Sequence, residues 1–151
     1  VQQNLAEARA LVAGLTPPDL DGTSLPQALH QIVARTGPGG EPGVDLSVTG
    51  APYGLPAEQE VALLRAAQEA LTNARRHSGA SRVAVLLAYT PDMVRLQVRD
   101  DGQGFDQAAP TAGFGLAAMH ARAAQVGGVL TILTAPGAGV DLRFDLPVVA
   151  A

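Results

Sequence analysis

Two runs rich in β-branched residues, Val83 to Ala88 and Val94 to Val98, flank a turn at Pro91-Asp92. Alternating side chains on either side of such a turn read as a β-hairpin. A long helical pattern precedes the pair, from about Ala57 to Arg76, with Val61, Leu64, Leu71 and Ala74 gathered on one side. An apolar helical stripe beside strands that each bury one face is satisfied when the helix lies on that face. The middle of the chain is therefore committed to a helix-on-sheet layer.

The flanking segments extend this layer. Val44, Leu46 and Val48 alternate with polar residues as a half-buried strand does, ending at Gly50-Ala51-Pro52. Leu116 to Val126 reads as a helix stopped by Gly127-Gly128. Val129 to Leu133 and Val140 to Leu146 form a last strand pair around Pro136-Gly137-Ala138-Gly139. At the other end, Leu5, Ala8, Leu11, Val12 and Leu15 mark a helical face that stops at Pro17-Pro18. Ser24-Leu25-Pro26 opens a second helix carrying Leu25, Leu29, Ile32 and Val33, which dies in the Gly-Pro-Gly-Gly run at 37–40. The expected order is ααβαββαββ, an α/β chain of the α+β two-layer kind with a mixed, mostly antiparallel sheet and its helices on one face.

Bulk properties narrow the function. At 151 residues and 47% hydrophobic content the chain can bury one core, so one domain is expected. With a net charge of −4 and no basic stripe, nucleic acid is a poor partner. No cysteine is present, which rules out disulfides and thiolate metal sites and fits a reducing, cytoplasmic compartment. No apolar run approaches the roughly 20 residues that span a bilayer, so no membrane contact by this domain is expected, and any membrane segment of a parent protein would lie elsewhere.

Chemistry-bearing residues fall in clusters. Within the long helix, Glu69, Asn73 and Arg76 lie inside a sector of roughly 60° at about 100° per residue, with His77 beside them. That face is opposite the apolar stripe, and a solvated polar face would look the same. Asp100-Asp101-Gly102-Gln103-Gly104-Phe105 stands where a strand runs out. An acid there can accept a hydrogen bond from a purine amino group while glycines let the backbone approach the ring, although Asp-Gly is also a common turn. Gly113-Phe114-Gly115-Leu116 leads into a helix, whose free N–H groups suit an anion such as a phosphate chain. Pro136 to Gly139 could be only a hairpin turn.

Taken in order, Glu-x-x-x-Asn on a helix, Asp-x-Gly-x-Gly after a strand, Gly-x-Gly opening a helix and a final glycine turn resemble the superfamily of gyrases, heat-shock chaperones, mismatch-repair ATPases and histidine kinases. Glu-Ala-Leu-Thr-Asn-x-x-Arg-His-Ser at 69–78, Asp-Asp-Gly-x-Gly-Phe at 100–105 and Gly-x-Gly-Leu-x-x-Met at 113–119 look like sensor histidine kinases of the nitrate- and desaturase-sensor group. Leu15-Thr16-Pro17 and Leu20-Asp21-Gly22 resemble the exit from that group's dimerisation helices.

The resemblance implies a Bergerat-type fold that binds ATP and Mg²⁺. Residues 1–15 would be the end of a dimerisation and phosphoacceptor helix, and residues 16–151 the catalytic ATP-binding domain. Asn73 would be the magnesium ligand, and Glu69 would orient the metal's water or the incoming nucleophile. Arg76 and His77 would contact the phosphates, Asp100 the adenine amino group, and Gly102 and Gly104 the adenine edge. Phe105 would begin a nucleotide lid running to Ala112. Gly113, Phe114, Gly115 and Leu116 would border the phosphates, with backbone contacts from Gly113, Gly115 and Leu116. Two positions depart from the family pattern: Val140 stands where Thr is common after the last glycine, and His120 where Arg is common after Met119.

A histidine kinase also needs an acceptor histidine, which in this group is usually followed by an acid. His30 precedes Gln31, His77 precedes Ser78 and His120 precedes Ala121, so none fits. The acceptor is expected upstream of Val1, on the dimerisation and phosphotransfer helices that would be the domain's partners, with a response regulator downstream. Two alternatives share the boxes: an anti-sigma-type serine kinase, and a nucleotide-binding module without phosphotransfer. The leading helical segment argues against the first, and the retained Glu69, Asn73 and Asp100 against the second.

Overall fold

A computed structural model describes residues 24–36, 43–104 and 116–148, without the side chains of residues 77 and 78. The elements are α1 (Leu25–Thr36), β1 (Gly43–Thr49), α2 (Ala57–Asn73) continued by a π-helical turn (Ala74–Ser78), β2 (Arg82–Tyr89), β3 (Met93–Asp100), α3 (Leu116–Gln125), β4 (Val129–Thr134) and β5 (Val140–Pro147). The helix expected over Asn4–Leu15, and with it the division at residue 15, lies outside the described residues.

The strands form one five-stranded sheet in the order β1-β2-β3-β5-β4. Only β1 and β2 run parallel; every other neighbouring pair is antiparallel. A parallel pair needs a long crossover, and α2 supplies it. The expected mixed, mostly antiparallel sheet is what forms.

Alternation along each strand decides which face is buried. The register aligns Val48, Leu87, Leu96, Phe144 and Leu130 in one row across all five strands, and Leu46, Val85, Val98, Leu142 and Ile132 in the next. The members on β2, β3, β4 and β5 are buried, and those on the edge strand β1 are half-buried against them. Each large side chain removed from water there contributes about 1.5–3 kcal/mol. Helix α1 covers β1, α2 meets β3 and β5, and α3 meets β4, so the helices share this face. The opposite face carries ion pairs instead, Arg95 with Asp145 and Arg143 with Asp141.

Local signals account for the helix ends. Ser24 and Gln27 form a reciprocal capping box: Ser24 Oγ accepts from the Gln27 N–H and Gln27 Oε1 from the Ser24 N–H, both at 3.4 Å. Glu58 and Glu60 sit in the first turn of α2, where the helix dipole favours acids. The α2 stripe is broader than Val61, Leu64, Leu71 and Ala74. Val61 is only half-buried, while Leu63 and the alanines at 62, 66, 67 and 70 are buried beside Leu64, Leu71 and Ala74. Small residues let this helix lie close to the sheet. The expected α-helix to Arg76 ends instead at Asn73, where the backbone widens into the π turn and stops at Gly79, at φ 62°.

Candidate functional site

The inward parity of β3 runs Val94, Leu96, Val98 and then Asp100, where a carboxylate takes the place of the next apolar residue. Its row reads Val44, Val83, Asp100, Val140 and Thr134. Asp100 therefore occupies the helix-covered face at one end of the sheet. Burial pushes its pKa up, and hydrogen bonds from the backbone N–H groups of Gly102 and Val140 partly offset that shift, with Asp101 adding a smaller upward push. The Gly102 bond to Asp100 Oδ1 measures 2.9 Å. Because Val140 acts through its backbone, the absence of a threonine hydroxyl leaves this contact in place.

The end of α2 and the start of α3 reach the same end. Near its start α2 is tied to the far end of the sheet, where Gln59 Nε2 donates to the carbonyl of Val126 at 3.2 Å. Its last α-helical residue, Asn73, leads within a few residues to Ser81, which bonds Asp101. The connection from α3 to β4 is only residues 126–128, so α3 runs back antiparallel to β4 and begins, at Leu116, toward the end that holds Thr134 and Asp100. Asn73, the Asp100–Gly104 loop, the start of α3 and the β4–β5 turn thus share one end of the domain.

Asn73 and Glu69 are half-buried and one helical turn apart, while Arg76 is exposed. Their amide and carboxylate oxygens are hard donors of the kind Mg²⁺ takes alongside phosphate oxygens and water. Among the described residues, no group of three or more His, Cys, Asp or Glu could hold a metal by itself. The side chain of His77, and all of Phe105, Gly113, Phe114 and Gly115, lie outside the described residues. His30 and His120 are exposed.

The structure adds Thr134 and Ser81, which the sequence did not single out, as partners of the glycine turn and of the Asp100–Gly104 loop. The β4–β5 turn packs against the Asp100–Gly104 loop: the Gly137 N–H donates to the carbonyl of Gln103 at 2.5 Å, and Thr134 Oγ1 donates to the carbonyl of Gly139 at 2.6 Å. A Cβ on Gly104, at φ 63°, would stand 2.2 Å from the carbonyl oxygen of Ala135 and 2.8 Å from Thr134 Oγ1. That glycine has a packing reason independent of any ligand. Asp101 grips the start of β2, and its carboxyl is held below the usual range by the Ser81 hydroxyl and the Arg82 N–H.

An acid at the end of the buried face, oxygen-bearing side chains on the adjoining helix and a glycine clasp lie at this one end of the domain. Residues 58–150 match the model of the histidine kinase-, DNA gyrase B- and HSP90-like ATPase family. The chain belongs to that family. The sensor histidine kinase LiaS of Bacillus subtilis is 32% identical over 144 residues, covering 94% of this chain and 39% of LiaS. The histidine-protein kinase/phosphatase DegS of Brevibacillus brevis is 33% identical over 149 residues, covering 98% of this chain and 39% of DegS. The chain thus spans well under half of these relatives. The blue-light activated histidine kinase of Erythrobacter litoralis shares the fold at a TM-score of 0.66 and 21% identity, over 97% of this chain and 49% of that one. Its histidine kinase domain gives a TM-score of 0.61 at 22% identity, over 82% of this chain and 58% of that one. This ATPase-family chain is an ATP-binding catalytic domain of the sensor histidine kinase type, and no helix among its described residues is long and apolar enough to cross a membrane.

Proposed function

We propose that this domain binds ATP with Mg²⁺ and transfers the γ-phosphoryl group to a histidine outside the present chain, from which a response regulator then draws it. The observation that carries the reading is Asp100, a half-buried carboxylate in the last inward row of the sheet, oriented by two backbone N–H groups and available to accept from the adenine amino group. Gly102 and Gly104 would border the adenine, while Asn73 would hold the metal, with Glu69 orienting its water or the nucleophile. Arg76 and His77 would meet the phosphates together with Gly113, Phe114, Gly115 and Leu116, and Phe105 would open the lid. Bound Mg²⁺ would neutralise charge on the phosphate chain. The acceptor is placed outside the chain because none of its histidines is followed by an acid. By this reading residues 1–15 end a dimerisation and phosphoacceptor helix, and residues 16–151 are the catalytic domain.

The test is incubation with γ-labelled ATP and Mg²⁺, alone and with a dimerisation-and-phosphotransfer domain carrying the histidine, supplied in trans. Label should move to the histidine and then to a response-regulator aspartate. Binding of ATP without any transfer to a supplied histidine would overturn the kinase assignment, and no binding of adenine nucleotides by folded protein would overturn the site.

A further inference from the structure

The proposed nucleotide site has two ends carried by different elements. Asn73 and Arg76 belong to the exit of α2, whereas Asp100 and Gly102 belong to the exit of β3. A ligand that spans both binds well only if the spacing between them is fixed beforehand, because disorder in that spacing has to be removed on binding. The chain from Asn73 to β2 passes through the π turn, the left-handed Gly79 and the buried Ala80 to Ser81.

At Ser81 this segment meets Asp101. The carboxylate of Asp101 accepts from the Ser81 N–H at 2.8 Å, from the Ser81 hydroxyl at 2.6 Å and from the Arg82 N–H at 3.0 Å. The Asp101 N–H in turn donates to the carbonyl of Arg82 at 3.3 Å. Asp101 directly follows Asp100, so one side chain ties the exit of the metal-bearing helix to the loop that would hold adenine. With three donors already engaged, its carboxylate is occupied by protein groups.

We propose that Asp101 is a positioning residue for nucleotide binding, clamping Ser81 and Arg82 so that the Asn73 and Asp100 ends of the site stand at the separation ATP requires. The proposal rests on the reading of this site as an ATP site. It predicts a particular pattern of loss. Adenosine engages only the Asp100 end, whose own bonds to Gly102 and Val140 do not involve Asp101. ATP·Mg²⁺ engages both ends.

Calorimetry of adenosine and ATP·Mg²⁺ with wild type, Asp101→Ala, Asp101→Asn, Asp101→Glu and Ser81→Ala tests the clamp. Asp101→Ala should lose about tenfold or more in ATP affinity, as expected for a misplaced binding group, with adenosine affinity little changed. Asp101→Asn should recover most of the loss, because its amide oxygen still accepts from both N–H groups and its NH₂ can donate to the Ser81 hydroxyl. Ser81→Ala, which keeps the backbone donors, should lose less than Asp101→Ala. An ATP-to-adenosine affinity ratio equal to wild type in folded Asp101→Ala would overturn the proposal, even with a lowered melting temperature. If Asp101→Ala does not fold, Asp101→Glu decides by the same ratio, since its extra methylene shifts the clamp while keeping the charge. Failure of the ATP reading itself is distinguishable, because wild type would then bind neither ligand.

Discussion

Gly139 lies directly against the carbonyl of Asp100: a Cβ built on Gly139 would stand 2.2 Å from that oxygen. Gly137, in the same turn, has a similar positive φ, 80° against 70°, but open space where its Cβ would go. Alanine at either site pays left-handed strain of about 1–2 kcal/mol. Only at Gly139 must the Asp100–Gly104 loop also shift. Gly139→Ala should therefore lower stability by more than Gly137→Ala in urea unfolding, and it alone should weaken ATP binding. Equal effects of the two substitutions would show that the turn does not press on Asp100.

Adjacent carboxylates are shifted in opposite directions. The pKa of Asp100 is raised, chiefly by burial, so its ionised form costs stability, and that cost is relieved as pH falls through the raised value. The pKa of Asp101 is lowered, chiefly by the Ser81 hydroxyl, so its contribution is present above the unfolded value and is lost only as pH falls through the lowered one. On acidification ATP affinity should decline first, as Asp100 loses the charge that makes it a strong acceptor, while the protein remains folded. Asp100→Asn should bind ATP about ten- to a hundredfold more weakly, from a lost charge-assisted bond of about 1.5–3 kcal/mol, and should lack this acid limb. Calorimetry from neutrality down to about pH 4 checks both; a wild-type profile as flat as that of Asp100→Asn would sink the assignment.

Asn73 separates metal-assisted from adenine-based affinity. Asn73→Ala should fold, because the side chain lies outside the buried stripe of α2 and alanine is the better helix former. ADP without metal should bind as before, whereas the extra affinity conferred by Mg²⁺ on ATP should vanish together with phosphotransfer. A magnesium-dependent gain equal to wild type would remove Asn73 from the metal site.

Neighbouring residues of β5 should differ sharply in worth. Phe144 is 1% exposed within the central row, and Phe144→Ala should cost about 3–5 kcal/mol. Asp145 points to the other face, where Arg95 Nε meets Oδ1 at 2.5 Å with side-chain exposures of 38% and 23%. Screened by solvent, that pair should give a coupling of about 1 kcal/mol or less in a double-mutant cycle, shrinking with salt. A coupling comparable to the Phe144→Ala loss would contradict this division of the sheet into a packed and a wetted face.

The strands were legible because alternation is a local signal, and each expected run extends by only one to three residues in the structure. Asp100 was legible as the acid that ends such a run. The breadth of the α2 stripe was not, since alanines at 62, 66, 67 and 70 carry little hydropathic contrast, yet they become buried once the sheet is beneath them. Nor was the π turn at Ala74–Ser78. The grip of Asp101 on Ser81 joins residues twenty positions apart, and the Gly139 contact joins residues about forty apart. Neither pairing is encoded in any short spacing; both exist only after the sheet register has formed.

The parallel seam between β1 and β2 has a consequence for how the domain opens. Among the described strands β1 borders a single neighbour, its inward side chains are only half-buried, and parallel pairing is slightly weaker per residue than antiparallel. Transient detachment should begin there, with amide protons of β1 exchanging ahead of those in β3 and β5. The four strands left behind are joined only by antiparallel ladders and still hold Asp100, Val140 and the glycine clasp. Fraying at that border can therefore come and go while the Asp100 end of the sheet stays assembled.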